Sequence, residues 1–284
     1  MNQENKAPSK FKTYLVFTKF RLSFLVILSA LSGYLFAGGK DGLIIFYLML
    51  GGTLVTAASN GANQIWERDL DKFMNRTNRR PLPTGEMSLR EAYLICAFNL
   101  IIGTILLALI NWKSAVLGLL AFISYVFIYT PLKQKSPWAV FVGAFPGAIP
   151  PMLGAIAHTN AFGFEPGVLF FVQFTWQFPH FWAIAWVSHE DYNRGGYKLL
   201  PFNGMPDQKT AFQIMIYSFF LIPVSLLPWT LPLETPMVGN IAAVIVTLAG
   251  ICISFLAYKL FKEPTLLNAR KVMFASFFYL PIVQ

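Results

Sequence analysis

Charge is what this 284-residue chain has least of: Asp, Glu, Lys and Arg together make up 12% of it, about half the share of an ordinary soluble domain. That shortage excludes a soluble globular enzyme, because the few charges sit in short clusters between long apolar runs. Cysteine is scarce too. The two present, Cys96 and Cys252, both fall inside apolar runs, which excludes a disulfide framework and any cysteine zinc spacing and leaves them as small packing residues. The stretch Met1–Lys12 is short and polar. It lacks the apolar core of a signal peptide and the Arg/Ser-rich character of a transit peptide, so a bacterial inner membrane is the expected home. No low-complexity segment interrupts the chain.

What fills the chain is hydrophobic residue, 56% of the total. The apolar runs approach the roughly 20 residues that a helix needs to cross a bilayer core. They lie at Leu22–Ala37, Leu43–Ile65, Ala92–Ile110, Ala115–Thr130, Trp138–Ala157, Val168–Val187, Ala211–Leu231, Val238–Leu260 and from Val272 through Leu280 onward. The last reaches Gln284 with no polar tail, the pattern expected of a chain that continues. Runs this long and unalternating do not suit barrel strands, and in lipid each backbone polar group needs an internal partner. The sequence therefore predicts an all-α polytopic membrane protein of about nine transmembrane helices. Gly143, Pro146, Gly147, Pro150 and Pro151 within the fifth run predict kinks or close helix contacts.

Sidedness follows from the basic residues. With the nine runs alternating across the bilayer, all but Lys40 and Lys113 of the 22 lysines and arginines fall on one side. The positive-inside rule makes that side cytoplasmic, with the N-terminus on it. The net charge of +9 then reflects topology and anionic membrane lipid rather than nucleic acid.

The acids are few and clustered. Asn63, Glu67 and Asp71 end the second run at spacing i, i+4, i+8, which stacks them on one helix face over about 12 Å. Like charges at this spacing repel unless something neutralises them. A solvated helix end is the plain alternative, but the polar face already begins at Asn60 and Asn63, inside the apolar run, where such groups usually face a cavity. Oxygen side chains in line suit a hard cation such as Mg²⁺, which takes few protein carboxylates and completes its shell with water and phosphate oxygens. Arg76, Arg79 and Arg80 follow directly. Carboxylates beside arginines make sense together for a metal–diphosphate, the acids holding metal and the guanidiniums holding phosphate.

A second acidic pair, Glu190–Asp191, ends the sixth run on the same side, four helices later, and again precedes a basic Gly/Pro-containing loop. This predicts one domain over 1–284, made of two pseudo-repeated four-helix units plus a ninth helix, with both acidic ends facing one shared cavity. His180 lies about three turns deeper. It reads either as an interhelical hydrogen-bond partner or, with Trp176 and Phe181 beside it, as a contact to a planar apolar substrate. His158 and His189 sit at run ends and read as interfacial. Lys133 closes the fourth run and reads equally as a topology-setting lysine or a phosphate contact.

The segment Asn63–Gly85, with its Asn-x-x-x-Glu-Arg-Asp-x-Asp core and Arg-Thr-x-x-Arg-Pro-Leu tail, resembles the first acidic motif of the UbiA-type intramembrane prenyltransferases. Tyr129-Thr-Pro-Leu-Lys133 resembles that family's Tyr-Pro-x-x-Lys element. Pro179-His-Phe-Trp-Ala-Ile-Ala, then Glu190-Asp-Tyr and Leu200-Pro201, is similar to the second motif of its haem-modifying branch. Thr18-Lys-Phe-Arg21-Leu resembles the start of the first helix, with Phe20 where proline is common. The resemblance covers nearly the whole chain. It implies a central cavity opening to the cytoplasmic side, Mg²⁺, and transfer of a farnesyl group from farnesyl diphosphate to a vinyl group of haem b, giving haem O and releasing diphosphate. It implies Asn63, Glu67, Asp71 and Asp191 at the metal–diphosphate, with Glu190 a further metal ligand. Arg21, Arg76, Arg80, Lys133 and Lys198 would bind diphosphate, and His180, Trp176 and Phe181 haem. A haem A synthase would accept the product. His180 stands where other branches carry an aspartate. The competing readings are a family member with another aromatic acceptor, and a transporter or haem-handling assembly protein, since intramembrane acids also mark transport paths.

Overall fold

The computed structural model describes residues 9–202, 204–231 and 237–284, with the side chain of Arg21 outside that description. Every regular element in it is helical: α1 (Lys10–Phe17), α2 (Phe20–Phe36), α3 (Gly42–Asp71), α4 (Pro81–Thr84), α5 (Leu89–Ile110), α6 (Trp112–Ile123), a π-helical segment (Ser124–Tyr129), α7 (Thr130–Lys135), α8 (Ala139–Thr159), α9 (Phe164–Val187), α10 (His189–Arg194), α11 (Gln208–Ser225), α12 (Leu227–Thr230), α13 (Asn240–Lys262) and α14 (Leu266–Val283).

Side-chain caps set several of the starts. The Asp41 carboxylate accepts from the N–H groups of Leu43 and Ile44 and opens α3, while Ser88, Asn111, Asp207 and Thr265 do the same for α5, α6, α11 and α14. Each cap satisfies backbone donors that a helix start leaves without partners.

Seven helical stretches among the described residues are long and apolar enough to cross a membrane, and the sharply bent pair α1–α2 makes an eighth. The sixth expected span forms as α9, 24 residues long, but falls outside that count. Its inner face carries Gln173, Thr175, Gln177 and His180, all buried, because neighbouring helices rather than lipid surround it. By contrast α5 turns Leu94, Phe98, Ile101, Ile105 and Leu109 outward, a stripe with helical spacing and the chemistry of a lipid-facing surface.

Neighbours pack largely in chain order: α2 on α3, α3 on α5, α5 on α6, then α8 on α9, α9 on α11 and α11 on α13. Contacts of α2 and α6 with α8 join the first run of helices to the second, and α14 packs on both α13 and α9. The α2–α8 crossing is close because it is built from small residues. A Cβ on Gly154 would sit 1.8 Å from the Ala30 carbonyl oxygen, and one on Gly33 2.0 Å from that of Pro151. In lipid, close backbone approach replaces the hydrophobic drive between helices. Pro151 has no N–H for the Gly147 carbonyl, and Gln173 Nε2 donates to that oxygen at 2.6 Å instead.

Candidate functional site

The ladder sits where the span and the polar end of α3 meet. The helix continues six residues past the apolar run, to Asp71, so Asn63, Glu67 and Asp71 share one unbroken face. All three are buried, at 1%, 3% and 0% exposure. A solvated helix end is thereby excluded.

Two buried carboxylates need counter-charge, and the chain supplies it. Lys133 makes an ion pair with Glu67, and Arg80 Nη1 donates to Asp71 Oδ2 at 2.7 Å. Thus two residues expected at phosphate stand directly on the acids. Asn63 Nδ2 donates to Thr130 Oγ1 at 3.1 Å, which leaves its amide oxygen free to ligate. Asp71 Oδ1 is buried without a hydrogen-bond partner. No group of three acidic, histidine or cysteine side chains gathers among the described residues. Two carboxylates and an amide oxygen do line one face of α3, and oxygen donors of this kind suit Mg²⁺ whose remaining positions go to water and phosphate.

Lys133 is held by more than Glu67. Its ammonium lies 5.1 Å from the ring centres of both Tyr129 and Tyr197, within cation–π range. A π-helical segment runs just before Thr130-Pro131; such segments collect at functional sites. Burial, and then the neighbouring Glu67 carboxylate, push the Tyr197 phenol up, so it stays a donor at any physiological pH.

The second acidic cluster reaches the first. Asp191 Oδ1 accepts from the backbone N–H of Asn75 at 3.2 Å, and Oδ2 from that of Arg76 at 3.0 Å. Asp191 therefore fastens the loop that follows the ladder. Arg76 is exposed, donates to the Tyr192 hydroxyl at 3.3 Å and lies 5.2 Å over its ring. Glu190 is not brought in: its side chain is 91% exposed and lies 4.0 Å from Arg194. Lys198 is also exposed, although its N–H donates to the Lys133 carbonyl at 2.7 Å. The expectation for Arg21 lies outside the described side chains.

Deeper in α9, His180, Trp176 and Phe181 form an aromatic group with Phe277 of α14. The rings of Trp176 and His180 stack at 4.3 Å, and Phe181 and Phe277 meet His180 edge-on. Ser276 Oγ donates to the Met273 carbonyl at 2.6 Å and so accepts from His180 Nδ1 at 2.8 Å. That fixes the tautomer and leaves Nε2 with its lone pair. His180 is therefore an interhelical partner through Nδ1.

Reading the sequence missed the clamp on Lys133. Tyr129 had a local signal in the Tyr-Thr-Pro-Leu-Lys element, while Tyr197 and Ser276 have none, being distant residues delivered by packing.

Residues 26–280 match the UbiA prenyltransferase family. Relatives include the protoheme IX farnesyltransferase of Cytophaga hutchinsonii, 47% identical over 97% of this chain and 96% of its own length. That of Christiangramia forsetii is 44% identical over 99% of this chain and 93% of its own. A solved structure of digeranylgeranylglyceryl phosphate synthase superposes with a TM-score of 0.78 at 20% identity, covering 97% of this chain and 96% of that one. A UbiA homologue from Archaeoglobus fulgidus bound to GPP and Mg²⁺ gives 0.70 at 17% identity, covering 95% and 98%. At such identities the two structures speak for the fold.

Proposed function

Because this chain belongs to the UbiA prenyltransferase family, we propose that it transfers a farnesyl group from farnesyl diphosphate to haem b, yielding haem O. Relatives at 41–47% identity that carry this activity in their names support the substrate pair. The observation that carries the reading for this chain is the hydrogen-bonded join between Asp191 and the loop after the Asn63–Glu67–Asp71 ladder. It makes one site of two acidic motifs 120 residues apart in sequence.

Asn63, Glu67, Asp71 and Asp191 would hold Mg²⁺, as the relative from Archaeoglobus fulgidus is described with that ion and a prenyl diphosphate. Glu190 is left outside this set by its exposure. Bound there, Mg²⁺ supplies Lewis-acid stabilisation of the leaving diphosphate. Lys133 and Arg80, paired with Glu67 and Asp71 in the free protein, would turn to phosphate oxygens when the site is filled. They stabilise charge as the allylic C–O bond breaks. Arg76 adds a basic group at the same mouth, with Lys198 at its rim. The surrounding apolar helices exclude water from the reacting carbon. The terminal carbon of a haem vinyl group forms the new C–C bond, water adds at the adjacent carbon, and one proton leaves. His180, Trp176 and Phe181 would seat the planar acceptor, with Nε2 free to reach iron.

The basic side of the helices supports an inner-membrane location with a cytoplasmic N-terminus. The matching order of packing in α2–α6 and α8–α13 supports two four-helix units followed by α14 as one domain. A haem A synthase is the natural acceptor of a product this apolar. The test is to incubate the purified protein with labelled farnesyl diphosphate, Mg²⁺ and haem b and weigh the haem products. A farnesylated, hydrated haem is expected. Unchanged haem with intact diphosphate overturns the reading, and label on another aromatic acceptor alone overturns the haem assignment.

A further inference from the structure

Lys19 joins α1 to α2 with φ at 49°, in the left-handed region. A lysine there is disfavoured without compensation, and such strain persists only where surroundings hold it. Here they do. Asn60 Nδ2 donates to the Thr18 carbonyl at 3.4 Å and to Ser23 Oγ at 3.2 Å, and Ser23 Oγ donates to the same carbonyl at 3.2 Å. One turn along α3, Gln64 Nε2 donates to the Phe17 carbonyl. Phe17 itself is fully buried, in space left open by Gly61: a Cβ there would lie 2.8 Å from its ring. The polar stripe Asn60–Gln64 on the ladder helix thus clamps the turn on which Lys19 rides.

The clamp has a consequence for charge. Lys19 is partly buried, and Arg80, Glu67, Lys133 and Arg76 are among the charges whose fields reach it. Glu67 is already paired with Lys133, and no carboxylate among the described residues comes within ion-pair distance of Lys19. An ammonium held in a strained turn, beside three other cations and without a counter-ion, is costly by itself. It is accounted for by an anion carrying more charge than the resident acids leave unmatched.

We propose that Lys19 binds the diphosphate directly, presented to it by a left-handed turn that Asn60 and Gln64 hold in position. This rests on the diphosphate reading of the site above. It adds a residue from the turn between α1 and α2 to a site whose other described ligands come from α3, the loop after it, α7 and α10.

The test is calorimetric binding of inorganic pyrophosphate with Mg²⁺ to the purified protein in detergent, alongside thermal unfolding of the ligand-free protein. Lys19→Gly accepts the left-handed backbone without penalty and removes one cation from a like-charged cluster. It should therefore unfold at the same or a higher temperature while binding pyrophosphate about tenfold or more weakly, the size of one lost charge-assisted contact. Lys19→Arg should bind within about threefold of the original, since it keeps the charge. Asn60→Ala should weaken binding in the original chain and add nothing in the Lys19→Gly background, because it acts through Lys19. Undiminished binding by Lys19→Gly, or equal losses in Lys19→Gly and Lys19→Arg, overturns the proposal while leaving the diphosphate site intact. Absence of pyrophosphate binding by the original protein overturns the diphosphate reading itself and this proposal with it.

Discussion

Asp191 reaches back across the fold to Arg76, its carboxylate accepting that residue's backbone N–H at 3.0 Å. If this carboxylate also serves the proposed metal–diphosphate, it should be sensitive to loss of charge as well as loss of shape. Asp191→Asn is expected to cut turnover by about 10²-fold or more, in the range of lost electrostatic stabilisers. Glu190→Gln, altering a 91% exposed side chain, should cost at least tenfold less. Product mass yield measures both. Equal losses would bring Glu190 into the metal set.

Asp71→Asn keeps the size of a side chain buried at 0% exposure and can still accept from Arg80. Folding in detergent should survive, seen as an unchanged elution volume, while turnover falls about 10²–10³-fold. Chelation of divalent ions should abolish turnover in the original chain, and added Mg²⁺ should restore it. Wild-type haem O yield from Asp71→Asn removes the metal role assigned to it.

Lys133→Met removes the counter-ion of a buried Glu67. A lone buried charge is destabilising by about 3–5 kcal/mol in comparable pairs. The variant should unfold at lower temperature in chelator, and Mg²⁺ should recover more stability for it than for the original, because the metal replaces the missing charge. Equal Mg²⁺ effects on both proteins argue against metal at Glu67.

His180→Ala should weaken haem b binding about tenfold, read from the Soret band, while leaving Mg²⁺–pyrophosphate binding unaltered. Unchanged haem affinity would return His180 to helix packing through Ser276 alone.

Gly154→Val places a side chain where a Cβ already meets the Ala30 carbonyl at 1.8 Å. Overpacking of this kind costs about 1–3 kcal/mol. Lower thermal stability is expected, with substrate KM unaffected in the protein that folds. A selective KM change would show that the α2–α8 crossing shapes the site.

The chain's order alone determined the all-helical membrane architecture, the position of most spans and the Asn63–Glu67–Asp71 face. Each is a matter of local periodicity or composition, which a helix converts directly into geometry. The sixth run, Val168–Val187, forms within α9, whose polar inner face is hidden by neighbours. Only the tertiary structure decided which cation stands on which acid, that Asp191 and not Glu190 turns to the first motif, that Ser276 fixes His180, and that Asn60 and Gln64 hold the turn at Lys19. Those relationships join residues on different helices, and no local spacing encodes them. They follow from small-residue crossings and buried hydrogen bonds that fix how the helices lie against one another.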